Sequence, residues 1–311
     1  MLTLLIACTN DFMLETIEDP AALGEDTGVY VEEDTALPED TAAPEDTSGM
    51  QNEENDKDPE EEDWDDTTEE DEPPEDDCEG TSDLIYVVSR SDEGLYTFDP
   101  DSNSFTRLGE LDCGWLGEPN SMAVARDGVA YVRYNDQTVY ELDLETLACT
   151  ETSYSNDGFG SFGMGYATQN AETWRDDLYI ANKNAVARLD TSTWTLSGVG
   201  QMPSQSELTG NAAGELWAFL PLEQPAQLVK LDKNDASVLK TVNLPGFPDP
   251  MNIDAFAFAT WDGDFYLFVR EYGMGSSTDV YRATAQGGFS KVLGDVGFDV
   301  VGAGVSTCAP D

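Results

Sequence analysis

Hydrophobic and polar positions alternate in a unit that returns five times along this chain. Each unit carries an apolar pair with Asp or Thr at a fixed offset: LYTFD from Leu95, VYELD from Val139, VARLD from Val186, LVKLD from Leu228 and VYRAT from Val280. A second short run precedes each anchor, with an aromatic residue in its third place. These runs are LIYVV at 84–88, VAYVR at 129–133, DLYIA at 177–181, ELWAF at 215–219 and DFYLF at 264–268. Short alternating segments bounded by turn residues predict strands, not helices. The anchors lie 44, 47, 42 and 52 residues apart.

Units of that length, built from several short strands, predict the blades of a β-propeller. The second unit is the clearest: NSMAVAR at 120–126, a turn at Asp127-Gly128, VAYVRY at 129–134, TVYELDL at 138–144 and ACTET at 148–152. The small residues of its first strand suit the crowded centre of a ring, where strands converge. FGMGYAT at 162–168, ELTGNAA at 207–213 and IDAFAFA at 253–259 repeat that character. The first unit has no such strand, and DVVGAGVSTC at 299–308 is a spare one. If the C-terminal segment completes the first blade, the ring closes and no sheet edge is left open. The expected architecture is therefore all-β: a propeller of five four-stranded blades closed by the C-terminal strand, over 81–311. An irregular β-sandwich is the competing arrangement.

Asp99, Asp143, Asp190 and Asp232 end four of the anchor strands, where an Asp accepts backbone N–H bonds and fixes a turn. Recurrence in several blades gives them a structural role. DPDSNSFTRLGE at 99–110 superficially resembles a calcium loop, but Ser104 stands where the sharp turn needs glycine. Tyr86, Tyr131, Tyr179, Trp217 and Tyr266 share one place in all five units, which assigns them to the packing between blades. The loops leading into the first strands converge on one face and offer Trp115, Glu118, Asn120, Tyr154, Phe159, Phe162, Asn252, Asp254 and Asp299 as candidates to bind a carbohydrate or protein ligand. Trp115 and Phe162 have a plainer alternative as packing residues.

Composition narrows the chemistry. The chain has no histidine, which excludes catalysis through a histidine base and histidine metal sites. No nucleotide-binding loop, cofactor motif or metal set is recognisable, so no cofactor is expected. Carboxylate chemistry stays open, with Asp254, Asp262 and Glu271 around the last blade; a carboxylate-based glycoside hydrolase is the alternative to a non-catalytic binding module. A purely structural envelope protein is a third class. The net charge is −50, and without a basic patch the chain has no means of neutralising nucleic-acid phosphates.

That charge is unevenly spread. Residues 11–80 hold 31 acids and one base, Lys57, leaving 33 acids and 13 bases for 81–311. The acidic segment lacks apolar periodicity and is expected to be a disordered linker, spanning roughly 45 Å as a random coil and more under self-repulsion. Ahead of it, within residues 1–10, Leu5-Ile6-Ala7-Cys8 resembles the lipobox of bacterial lipoproteins. The resemblance implies that Cys8 carries lipid and anchors the chain to a membrane. Four cysteines remain, an even number that suggests two disulfides in an exported domain. The blade arrangement favours Cys113–Cys149 and Cys78–Cys308. The repeat region resembles the broad class of propellers that includes quinoprotein-like, kelch-like and five-bladed lectin domains. Lipobox, acidic spacer and propeller together resemble surface lipoproteins of Gram-negative bacteria. The expectation is a monomer at the outer membrane or cell surface, its folded domain outside the cytoplasm.

Overall fold

The structure, a computed structural model, describes residue 78 and residues 83–114, 117–156, 158–170, 173–273 and 275–311. Cys8, the expected lipidation site, Trp115 and the acidic segment up to residue 77 lie outside the described residues. The first sheet contains β1 (Ile85–Ser89), β2 (Gly94–Asp99) and β3 (Ser104–Glu110); the second contains β4 (Pro119–Val124), β5 (Val129–Tyr134), β6 (Val139–Asp143) and β7 (Cys149–Glu151). The third runs through β8 (Gly163–Asn170), β9 (Thr173–Ala181), β10 (Ala185–Asp190) and β11 (Thr195–Gln201). The fourth is β12 (Glu207–Gly210), β13 (Leu216–Leu220), β14 (Ala226–Leu231) and β15 (Val238–Leu244), and the fifth β16 (Ile253–Trp261), β17 (Asp264–Glu271), β18 (Thr278–Thr284) and β19 (Phe289–Leu293). The last strand, β20 (Val300–Gly304), returns to β1 and completes the first sheet in the order β20-β1-β2-β3. The protein is a five-bladed β-propeller of antiparallel four-stranded sheets.

The anchors work as turn locks. Asp143 Oδ1 accepts from the N–H of Glu145 (2.9 Å) and Thr146 (2.8 Å), and Asp190 Oδ1 from those of Ser192 (2.9 Å) and Thr193 (3.1 Å). Asp99 and Asp232 repeat the contact with Asp101 and Asn234. In VYRAT the Thr284 hydroxyl accepts from Gln286 N–H at 3.3 Å. Asn103, Leu147, Trp194 and Ala236, four residues beyond the Asp anchors, are left-handed with φ between 50° and 58°. The lock therefore holds a backbone state that side-chain-bearing residues adopt rarely.

Each recurring aromatic sits at a different blade interface. Tyr86, Tyr131, Tyr179, Trp217 and Tyr266 fall in five separate hydrophobic clusters, and none is more than 8% exposed. Rings meet across the seams, as in Trp217 with Phe265 (4.8 Å) and Phe98 with Tyr266 (5.5 Å). The disulfides Cys113–Cys149 and Cys78–Cys308 are both formed.

At the centre, β20, β4, β8, β12 and β16 each touch the next and close a ring. Their spacing depends on missing side chains. A Cβ on Gly302 would lie 2.7 Å from Met122 N; one on Gly163 would lie 2.7 Å from Glu207 Cδ and press on the Ser206 carbonyl oxygen. Gly163→Ala is therefore expected to lower stability by about 3 kcal/mol, as forced overpacking does. Gly198→Ala, into open space on β11, is the matched control and should be close to neutral. Thermal unfolding of both variants checks this, and equal melting temperatures would contradict it.

The inner strands begin on one face, here the head face, and end on the opposite foot face. Residues beyond β20 sweep across the foot. The Thr307 hydroxyl accepts from Arg126 Nη2 (2.9 Å) and donates to Asp176 Oδ2 (2.5 Å). Pro310 O accepts from Asp262 N–H (2.8 Å), and Asp311 Oδ2 from Ala213 N–H (3.2 Å). The tail thus meets residues following β4, β12 and β16, and covers the foot of the ring.

Candidate binding site

Two polar groups of side chains gather at the head face, and neither comes from one blade. The first is built around Glu207, which opens β12 in the fourth blade. Gly163 on β8 leaves a gap through which its carboxyl reaches past the third blade. There Ser121 Oγ, on β4 of the second blade, donates to Glu207 Oε2 at 2.8 Å. One carboxyl therefore joins three consecutive inner strands. Burial pushes it up from the ordinary 4.5 to about 8, against the opposing pull of the Ser121 hydroxyl, the Met164 N–H and the Arg133 charge.

Arg133 supplies that charge from β5, where it is the register partner of Ser121. It is only 2% exposed. Its Nη1 donates to Asn120 Oδ1 at 2.8 Å, and its guanidinium carbon lies 5.1 Å from the centre of the Phe162 ring. Burial holds the guanidinium below its usual range. Asn120 sits in an irregularity between Pro119 and Ser121 where the β4–β5 register shifts. It also receives the Ser161 hydroxyl at 3.3 Å.

The second group spans the seam where the ring closes. Arg90, just after β1, donates through Nη2 to Asp254 Oδ2 (2.7 Å) and lies 3.4 Å from Asp299 Oδ2. Arg270 on β17 meets Asp299 Oδ1 through Nε at 2.9 Å and also pairs with Asp254. Two cations and two anions, all between 14% and 29% exposed, neutralise each other while tying the fifth blade to the first.

The residues singled out from sequence are distributed as follows. Asn120, Asp254 and Asp299 lie within these two groups. Phe162 is buried at 2% and lies under Arg133. Tyr154 and Phe159 pack edge-on against Phe162 at 5.6 and 5.9 Å, in the seam between the second and third blades. Glu118 and Asn252 are exposed on the head-face loops, where backbone bonds to Asn135 and Tyr272 hold them. Sequence reading missed Glu207, Arg133, Arg90 and Arg270. The signal available for Glu207 was a charge opening a strand otherwise small and apolar. Single arginines near strand ends gave none.

At 99–110, Asp99 is occupied with Asp101 N–H, Ser102 N–H and the Ser102 hydroxyl. Among the described residues no group of three or more His, Cys, Asp or Glu is placed to hold a metal ion.

No family's sequence profile matches this chain, and no curated protein matches it. Among solved structures it is similar to a protein of unknown function from Bacteroides caccae, at 10% identity and a TM-score of 0.42, over 71% of this chain and 97% of that one. It is also similar to a structural-genomics protein of unknown function from Bacteroides thetaiotaomicron VPI-5482, at 17% identity and a TM-score of 0.43, over 71% of this chain and 58% of that one. A chain of a mitotic checkpoint complex shares 12% identity with a TM-score of 0.38, covering 73% of this chain and 79% of its own length.

Proposed function

We propose that this chain is a lipid-anchored protein of the bacterial outer membrane or cell surface, whose propeller is a non-catalytic binding module that engages its ligand at the head face. The observation that carries the reading is the position of the Cys78–Cys308 disulfide. Cys308 follows Thr307 in the tail that crosses the foot of the ring. The point where the acidic spacer joins the propeller is thus fixed at the foot. The charged and hydrogen-bonding groups of the head face lie on the side of the ring opposite that junction. The resemblance of Leu5-Ile6-Ala7-Cys8 to a lipobox and the acidic composition of 11–80 fit the same reading.

A second reading, a carboxylate-based glycoside hydrolase, draws on Glu207 and Asp254. These acids sit on inner strands of different blades, and one of them holds its proton to about pH 8.

Two measurements test these readings. The full chain expressed in a Gram-negative host should partition into detergent and incorporate a fatty-acid label, and Cys8→Ser should lose both; an unlabelled, water-partitioning wild type removes the anchor. The Cys8→Ser chain is then applied to glycan and peptide arrays beside a hydrolysis screen of the same glycans. Binding without turnover supports the module. Turnover lost in Asp254→Asn replaces it with the hydrolase.

A further inference from the structure

The third and fourth blades carry the same side-chain set around their recurring aromatic. In the fourth, Glu215 stands two residues before Trp217 and pairs with Lys230, the register partner of that tryptophan. In the third, Asp177 stands two residues before Tyr179, and the partner of Tyr179 is Arg188, whose Nη1 lies 3.4 Å from Asp177 Oδ2. The blades differ at the outer strand. Lys240 on β15 is the register partner of Lys230, and its ammonium lies 5.9 Å from the centre of the Trp217 ring. Ser197 holds the matching place on β11, opposite Arg188. A long side chain therefore covers the set in the fourth blade, and a short exposed one leaves it open in the third.

The opening is a cavity of about 410 Å³, within the range of roughly 300–1,000 Å³ that small ligands occupy. Gln169, Asp177, Arg188 and Ser197 line it from the third blade, and Lys233 and Asn234 from the β14–β15 turn of the fourth. β8 ends at the foot, and so does β14, which runs parallel to β12 in its own sheet. The cavity is thus at the foot end of a blade seam, away from the head face. Its carboxylate is loosely held. The Asp177 side chain is 16% exposed, and Gln169 Nε2, Arg188 Nη1 and the Tyr179 hydroxyl stand 3.2, 3.4 and 3.5 Å from it. A well-made charge-assisted bond is about 2.7–2.9 Å long. Lys233 is fixed more firmly, because its ammonium donates to the carbonyl oxygens of Thr168 and Gln169. The fifth blade repeats the set as Asp264, Tyr266, Arg282 and Ser290, but there the charge reaching the aromatic from the neighbouring turn is that of Asp101, an acid. Only the seam of the third and fourth blades faces the set with a lysine and an amide.

The lining offers both signs of charge and both hydrogen-bonding roles. An anion entering it meets Asp177, and a cation meets Arg188 and Lys233. A neutral hydroxyl meets no such conflict, since it donates one bond and accepts two. Hydroxyls on adjacent carbons can divide these roles among the carboxylate, the guanidinium and the amide. We propose that this cavity binds a neutral saccharide, with Asp177 accepting from one ring hydroxyl and Arg188 and Asn234 donating to its neighbours. The site is additional to the head face and does not depend on it.

The test titrates the full chain with glucose, galactose, mannose and N-acetylglucosamine, and with glucuronate and glucosamine as charged counterparts, by calorimetry and ligand-observed NMR. At least one neutral sugar is expected to bind, and more tightly than either charged one. Ser197→Lys copies the fourth blade at an exposed position; it should keep the melting temperature and lose binding. Asp177→Asn should weaken binding by about tenfold or more, the effect of one hydrogen bond to a charged group. Absence of binding by every neutral sugar overturns the proposal, as does tighter binding of a charged one or equal affinity in Ser197→Lys. Should Ser197→Lys fail to fold, Asp177→Asn decides, and unchanged affinity there is fatal. Asp254→Asn separates the two faces. Binding kept in Asp254→Asn and lost in Ser197→Lys is the expected pattern; the reverse moves the sugar to the head face, which removes this site and leaves the head-face reading standing.

Discussion

Deleting residues 299–311 is expected to abolish the cooperative unfolding transition. The segment supplies β20, the inner strand of the first blade, and the tail that covers the foot of the ring. Val300, Val301, Ala303 and Val305 are at most 4% exposed, and fully burying a valine stabilises by about 1.5–3 kcal/mol. Their loss alone approaches the whole stability of a typical domain, about 5–15 kcal/mol. Three further losses follow. Arg90 and Arg270 lose Asp299, the Arg126–Asp176 pair loses the Thr307 hydroxyl, and Cys78 loses its partner. The inner edge of β1 is left bare, a template for aggregation. Urea unfolding followed by tryptophan fluorescence and circular dichroism reads the result. A truncated chain with an unchanged midpoint and slope would show that β20 does not close the fold. Changing Cys78 and Cys308 together to Ala separates the covalent contribution, and should lower the midpoint while steepening the slope, because the unfolded chain loses a cross-link spanning 230 residues and exposes more surface.

That closure is legible in the sequence because the first unit lacks an inner strand and 299–308 provides one. The structured part is shorter, Val300–Gly304, since the residues beyond turn to cross the foot. The anchor aspartates were equally legible: a turn repeated four times with the same side chain states its own mechanism. The cysteine pairing followed from blade order. Features that repeat are visible in a sequence because each copy reinforces the others.

The head-face groups had no such support. Glu207 stands in ELTGNAA as one acid among many, and its importance depends on Gly163, 44 positions earlier in the chain. Nothing local relates the two; only the ring brings β8 and β12 into contact. Arg133 reads as a polar residue in VAYVRY, and the alternation predicts neither the bulge at Asn120 nor the Phe162 ring beneath its guanidinium. Arg90 meets Asp254, and Arg270 meets Asp299, only because the C-terminus returns to the first blade. The aromatic candidates show the converse. Tyr154, Phe159 and Phe162 read as candidates to bind a carbohydrate or protein ligand, and the structure packs their rings edge-on in a blade seam, Phe162 buried and the other two half-buried. Repetition encodes the scaffold, whereas the chemistry lies in positions where one blade departs from the rest.

Glu207 gives that departure a measurable consequence. An unfolded glutamate releases its proton near 4.5, whereas the folded protein holds this one to about 8. Below the lower value both states are protonated, and the buried neutral carboxyl costs nothing extra. Between the two values the folded state binds one more proton than the unfolded chain, so stability falls as pH rises, by about 1.4 kcal/mol per pH unit. The loss is complete above the higher value and is on the order of 5 kcal/mol for this group. Other carboxylates add their own dependence, so the informative quantity is the difference from Glu207→Gln. The amide keeps the shape and the acceptor for Ser121 Oγ but cannot ionise. Glu207→Gln should be the less stable protein at pH 5, where its NH₂ group brings two donors to be satisfied against the single O–H of the neutral acid. It should become the more stable one by pH 9, where the wild type carries a buried carboxylate. Urea unfolding of both proteins across that range checks the crossover. Parallel stability curves would mean that the Glu207 carboxyl is already ionised at neutral pH, with Arg133 as its counter-charge.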